Sequence, residues 1–511
     1  MRNFFRLNAA VLLLCVCAYG CAAKGALSKN AGEKYLLKKS SEDDSPKAGL
    51  AAKAYAHYMR GLLFEQENNL AGAVTEFSQA AHYDKKAAEI YLKLGTVYFK
   101  SGDFDNAIKS LNRVMELQPQ NIEVRFLAAV IQTTLGRFDE AAALYEQILM
   151  VDPQNKQAKL NLADIYVLQQ KTEKAVMLYE EMTESGINLP YVYFNLGMLY
   201  GQLNEYDKAV PELKKVTELA PDYLEAYLGL GLIYELEGDA EKSEQAYKKA
   251  ISLKPESPLA YFRLGQMYVE KNMLDKGLLQ FEKVLQINPR LVDAYFEMAH
   301  IYLRQSKTDK AIEILLKAEP LVTDKSRMYV LLGLAHSLEN SFREAEDYYQ
   351  KALKIDPNND LAVFYLGALY DKQGEKKQAV AEFYKALKLN PENADACNYL
   401  GYMYAEEGHN LKEAESLIKR ALKVDPENGA FVDSLGWVYF KQGRIDLALE
   451  YLEKAAKLLG DDPVILDHLG DIYYQKGLFT DARQQWEKSL KIDAAQEKIK
   501  TKLDKLIKEK F

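Results

Sequence analysis

From residue 54 onward, small, aromatic and apolar positions return every 34 residues. The eighth position of successive units is always glycine or alanine: Gly61, Gly95, Ala129, Ala163, Gly197, Gly231, Gly265, Ala299, Gly333, Gly367, Gly401, Gly436 and Gly470. Twelve positions further on comes a second small residue, from Ala73 and Ala107 through Ser243 and Gly277 to Ala448 and Ala482. A one-residue insertion near His409-Asn410 delays it once, to Ala414. Three positions after the first small residue most units carry a tyrosine, as at Tyr98, Tyr166, Tyr200, Tyr234, Tyr268 and Tyr439. Units commonly close on a proline behind a turn former, as at Asp152-Pro153, Asn288-Pro289 and Asp425-Pro426, and such a proline ends one helix and permits the next. Independent positions that hold one phase predict a stack of two-helix units, starting near 54, 88, 122, 156, 190, 224, 258, 292, 326, 360, 394, 429 and 463. The small residues let the first helix (helix A) and the second (helix B) approach, with the tyrosine filling the space beside them, and a bulky side chain would push the pair apart. Behind the last unit, Ile499, Leu503, Leu506 and Ile507 fall on one helical face, which predicts a capping helix within 494–511.

This pattern resembles the tetratricopeptide repeat (TPR) over about residues 54–493. The resemblance implies an all-α fold, a right-handed α-solenoid of about thirteen helix-turn-helix units. Two junctions lack the proline in register, Ser185-Gly186-Ile187-Asn188-Leu189-Pro190 and Glu319-Pro320-Leu321-Val322-Thr323. They are the expected places for a bend, the alternative being a local loop variant.

A stack also explains how 511 residues can form one architecture, because each unit buries its face only against its neighbours. With 48% hydrophobic and 27% charged residues, the chain is too apolar for disorder and too mixed for a set of membrane spans. Tyrosine is abundant, at 35 residues against 2 tryptophans. The net charge of -8 becomes about -10 without Arg2 and Arg6, and lysine alternates with glutamate along the helices. No basic face is available to release counterions from phosphates, so nucleic acid is excluded as the expected partner.

Arg2 and Arg6 precede an apolar run, Leu7 to Ala18, that is too short to span a bilayer, the form of an export signal over 1–20. The run ends in Ala18-Tyr19-Gly20-Cys21, which resembles the lipobox of bacterial lipoproteins and implies a lipid on Cys21. Ala18 and Tyr19 depart from the commonest residues of that motif, and Cys15 and Cys17 are worse candidates because Leu14 and Val16 precede them. The alternative is an ordinary secretory signal cleaved nearby. By resemblance to Gram-negative sorting rules, Ala22 after the cysteine points to the periplasmic face of the outer membrane. Residues 21–53 then read as a lipidated cysteine with a flexible tether, rich in Lys, Ser, Ala and Gly.

The six histidines, His57, His82, His300, His336, His409 and His468, lie in different units or phases, and no pair has metal-ligand spacing. Cys397 falls at a packing position of helix A. No catalytic, cofactor or metal site is therefore expected, and the chain is expected to be no enzyme. The TPR resemblance instead places a concave groove on helix A, at its second, fifth, ninth and twelfth positions. Those hold Phe194, Met198, Phe262, Phe296, Phe364, Tyr402, Asp433, Trp437, Phe440, Asp471 and Tyr474 as candidate contacts for an apolar segment of a protein partner. Aromatic stripes at helical spacing also arise from packing between units, which is expected of about half of these. Only Asn161 and Asn195 resemble residues that would clamp a partner's carboxylate. The runs Asn398-Tyr399-Leu400-Gly401-Tyr402, Asp433-Ser434-Leu435-Gly436-Trp437 and Asp467-His468-Leu469-Gly470-Asp471 resemble the last repeats of proteobacterial envelope TPR lipoproteins. That resemblance implies an adaptor presenting substrates to a periplasmic carboxyl-terminal processing protease, or an assembly component of exopolysaccharide, pilus or protein secretion.

Overall fold

The computed structural model describes residues 46–460 and 462–510; Cys21 and most of the segment read as a tether lie outside them. Among the described residues the elements are twenty-seven α-helices and one short 3-10 turn, Glu319–Leu321. The helices run as thirteen A–B pairs, from Pro46–Gln66 with Leu70–Tyr83 to Pro463–Gln475 with Phe479–Ile492, and end on the single helix Glu497–Lys510. The chain divides into two compact halves at Arg263 and Leu264. In the first half the largest core cluster runs through Tyr145, Leu162, Tyr179, Leu196 and Leu213. In the second half it runs through Phe383, Leu400, Ile418, Leu435 and Leu452.

Each pair closes on one contact that recurs in register. Position 24 of a repeat, on helix B, carries a large side chain such as Phe77, Tyr145, Tyr179, Tyr247, Phe281 or Phe383, fully shielded from solvent. It sits on the small residue at position 8 of helix A. A Cβ added to Gly231 would lie 2.4 Å from the Tyr247 ring, and one added to Gly333 would lie 2.5 Å from Tyr349. The expected partner of the small residue, the tyrosine at position 11, has a different role. Its ring is capped by the lysine at position 19 of the repeat, on helix B, in five consecutive repeats, with Nζ 5.2–5.8 Å from the centroid for Lys174 on Tyr166, Lys208 on Tyr200, Lys242 on Tyr234, Lys276 on Tyr268 and Lys310 on Tyr302. Several of the hydroxyls reach back to a glutamate of the preceding repeat, as Tyr166 to Glu146 and Tyr370 to Glu346. The abundant tyrosine thus supplies rings to bury and a polar end to satisfy.

Helix A always ends on a residue in the left-handed region at position 15. Glycine serves there in Gly102, Gly136, Gly238, Gly374, Gly408, Gly443 and Gly477, and asparagine in Asn68, Asn204, Asn272 and Asn340. Both residue types tolerate positive φ, and the turn returns the chain for helix B within two or three residues.

Two details differ from the sequence expectation, the start of the first helix and the exposure of Ile507, and the junction at 185–190 forms a packed loop. The first helix starts at Pro46, ahead of residue 54, because its alanine-rich stretch favours helix. At the junction behind Glu184, Ile187 is buried and its N–H donates to the Met182 carbonyl at 3.1 Å, so that loop is packed. In the capping helix Ile499, Leu503 and Leu506 are buried, whereas Ile507 is exposed.

Candidate interaction surface

Six of the residues expected to line an open groove face the neighbouring repeat instead. Phe194, Met198, Phe296, Phe364, Asp433 and Trp437 are only 3–8% exposed. Consecutive A helices pack side by side, so a ring on that flank meets the next helix before it meets solvent. Phe194 lies 5.5 Å from the Tyr223 ring, and Phe364 lies 6.1 Å from Tyr399. Met198 packs on Gly229, where a Cβ would come 3.1 Å from its Sδ. Phe296 lies under the Arg327 guanidinium at 4.7 Å. Phe262, Tyr402, Phe440, Asp471 and Tyr474 are half-buried and keep surface for a partner.

Four of those five belong to the last three repeats, where charge and aromatic surface gather. The A helices are Ala394–Glu407, Gly429–Lys441 and Pro463–Gln475. Each starts from a side-chain cap, in which Asn393, Asn428 and Asp462 accept from backbone N–H groups of the first turn. This fixes the phase that turns Tyr402, Trp437 and His468 toward one another. The Trp437 ring stacks on His468 at 3.9 Å and on Phe440 at 4.9 Å, and its Nε1 donates to Glu406. Asp433 Oδ1 is 2.9 Å from His468 Nδ1. Lys502, from the capping helix, places Nζ 2.6 Å from both Asp467 and Asp471. Burial pushes the Asp471 carboxyl up, against the pull of Lys502, and burial beside Glu406 and Asp433 pushes the Tyr402 phenol up.

His468, Glu406 and Lys502 were absent from the sequence-predicted set. A signal existed: an acid at position 5 of one helix A meets the residue at position 6 of the next, so Asp433 pairs with His468 and Asp467 with Lys502. Each histidine considered alone gives no such hint.

In the first half Asn161 and Asn195 are turned to internal work. Asn161 Nδ2 donates to the Tyr145 hydroxyl at 2.9 Å, and Asn195 Nδ2 donates to Tyr179 at 3.0 Å. Tyr179 and Tyr191 both donate to Asp164 Oδ1, at 2.5 and 2.8 Å. Burial dominates these two hydrogen bonds and pushes the Asp164 carboxyl up to about 7. A carboxyl raised in the folded state holds its proton longer there than in the unfolded chain, so its contribution to stability falls as pH rises from about 4 to about 7. Asp164→Asn removes that loss. Thermal melts at pH 5 and pH 8 should show the variant gaining on the parent by roughly 2 kcal/mol between the two. An unchanged difference would place the proton elsewhere.

Cys397 is buried, and burial pushes its thiol up, the reverse of what a nucleophile needs. Among the described residues no group of three His, Cys, Asp or Glu side chains is placed to hold a metal ion.

Small-on-large closure of each pair, a left-handed turn at each A–B link and side-by-side A helices define an all-α repeat protein of the solenoid class. The description "Tetratricopeptide repeat" matches residues 133–186, 194–258, 259–291, 281–313, 326–359, 348–381 and 405–463, and the chain belongs to the tetratricopeptide-repeat family. Residues 67–148 match "Anaphase-promoting complex, cyclosome, subunit 3". The comparison with curated proteins yields no match. Among solved structures, the Cut9–Hcn1 hetero-tetramer of the anaphase-promoting complex is 16% identical, with 90% of this chain and 98% of that one covered and a TM-score of 0.38. Yeast Tom70 is 17% identical over 89% and 95%, with a TM-score of 0.39. A tetratricopeptide repeat protein from Parabacteroides merdae is 24% identical over 48% and 98%, also at 0.39. At these scores the likenesses carry no argument about partners. Proteins of this family are in general scaffolds for protein interactions.

Proposed function

We propose that the chain is a non-catalytic adaptor of the bacterial envelope, anchored by a lipid on Cys21 and binding a protein partner along the A helices of its last repeats. The supporting observation is the concentration there of half-buried aromatic and acidic side chains, Tyr402, Phe440, Asp471 and Tyr474, on helices held rigid by their caps. Rigid aromatic anchors suit a protein segment better than a small molecule. A photo-crosslinking residue at Tyr474 should capture a partner in envelopes, whereas one at Leu279, exposed on a B helix, should not. Equal capture from both positions would count against this surface.

The finer version is an adaptor that presents substrates to a carboxyl-terminal processing protease at the outer membrane. Purified chain would then speed cleavage of an envelope hydrolase by that protease; no acceleration, with a secretion or polysaccharide-export component among the crosslinked partners, favours the alternative role in assembly. The anchor is tested separately. Cys21→Ser should release the protein from membranes with its helical content unchanged, since no described helix is long and apolar enough to cross a membrane. Variant protein that stays in the membrane pellet after a high-salt wash would mean another anchor.

A further inference from the structure

His468 is the most deeply buried titratable base of the second half, at 4% exposure, and neither partner binding nor the helix pairing described above uses its charge. Its position-6 register is shared with Lys502. Asp467 meets Lys502 across one step of the stack at 2.6 Å, and Asp433 meets His468 across the step before it at 2.9 Å. The outer step therefore joins an acid to a lysine. The inner step joins an acid to a histidine, the side chain whose ordinary pKa lies nearest neutrality.

We propose that the Asp433–His468 pair is a proton-operated catch that holds the last helix pair and the capping helix onto repeat 12, closed while the imidazole is charged and loosened when it is neutral. The geometry supports both halves of that statement. With side-chain exposures of 5% and 8%, the two partners have no solvent to replace one another. Trp437 stacks on the imidazole at 3.9 Å and tilts only 14° from it, so the ring face that favours a cation is already in place. From the other elements, Glu406 and Tyr402 face this cluster from repeat 11, Lys441 lies 4.7 Å from the Trp437 ring on repeat 12, and Lys502 reaches in from the capping helix. Asp467 and Asp471 lie on the histidine's own helix and share the single ammonium of Lys502. Acids outnumber cations around the imidazole.

Burial favours the neutral ring, but Asp433, with Asp467 and Asp471 behind it, outweighs burial and raises the imidazole above its ordinary value of 6.5. Below that value the pair contributes in full. As pH rises through the raised value the proton leaves, the contribution is lost, and Asp433 remains as a buried carboxylate with no counter-charge. Release of the end would uncover Trp437 and Phe440.

The test uses the full chain carrying 5-fluorotryptophan, read by fluorine NMR. Only two tryptophans are present, and a Trp486→Phe variant assigns them. The Trp437 resonance should shift in one titration with a midpoint above 6.5, and Asp433→Asn should lower that midpoint. Melting of the parent should fall by about 2–4 °C between pH 6 and pH 8.5 relative to His468→Gln. A parental midpoint at or below 6.5, or the same pH dependence of melting in both proteins, overturns the proposal. Should His468→Gln fail to fold, Asp433→Asn decides alone, because an unmoved midpoint in that variant has the same force.

Discussion

Trp437→Ala in the full chain is expected to cost about 3–5 kcal/mol, the range for truncating a large buried aromatic. The indole is 5% exposed, lies against both His468 and Phe440, and donates its only N–H to Glu406. Alanine would leave a cavity between two repeats and a carboxylate without its donor. A groove-lining ring would behave differently: with Trp437 and Phe440 pointing outward, truncating both would leave the fold nearly intact. Urea unfolding followed through Trp486, which reports the same end of the chain, separates the two cases. Long repeat arrays need not unfold as one unit, so a local reporter is the appropriate one. A loss below about 1 kcal/mol would return the ring to solvent.

Gly436→Leu is the second large effect, and it acts through the opposite fault, too much side chain. A Cβ alone would stand 2.8 Å from Leu452 Cγ and 3.3 Å from the Ala448 carbonyl oxygen. Leucine must therefore move helix B, at a cost of about 1–3 kcal/mol or more. Ala430→Leu, on an exposed position of the same helix, is the control and should stay within about 0.5 kcal/mol. At about 2–4 °C per kcal/mol for a half of this size, thermal melting resolves the pair. Equal melting of the two variants would mean that repeat 12 can open at its A–B contact without loss.

The fold was legible because its defining contact recurs in one register. Thirteen small residues in phase are a signal that no single helix could give. What sits on them was harder to see: the large residue at position 24 varies among Phe, Leu, Tyr, Ile and Trp, so its constancy is one of volume and not of residue type. The left-handed residue at position 15 was readable as a Gly/Asn period, and its variation, with Gln170 and Ser306 in two turns, dilutes that signal. The surface was least legible. Whether a position-5 or position-9 ring faces a partner or the next A helix depends on the spacing between those helices, which neither hydrophobicity nor register encodes. Trp437 and Tyr402 both occupy position 9 of their repeats, yet one is buried and the other half-buried. His468 was hidden for a related reason: its acid lies in another repeat, 35 residues away.

The single inserted residue at His409-Asn410 shows where such a chain can change length. In repeat 2 one residue, Asp103, separates the left-handed Gly102 from helix B, whereas in repeat 11 two, His409 and Asn410, separate Gly408 from it. Nothing beyond the turn notices: a Cβ on Gly401 would still collide with Ile418 at 2.6 Å, the same lock and key in shifted numbering. Because every pair carries its own lock and key, a genetic duplication or deletion of one 34-residue segment would leave both flanking segments complete. The gene behind such a protein can lengthen by whole modules or by single codons at its A–B seams, while a codon gained or lost inside a helix would put position 8 out of step with position 24 and be purged.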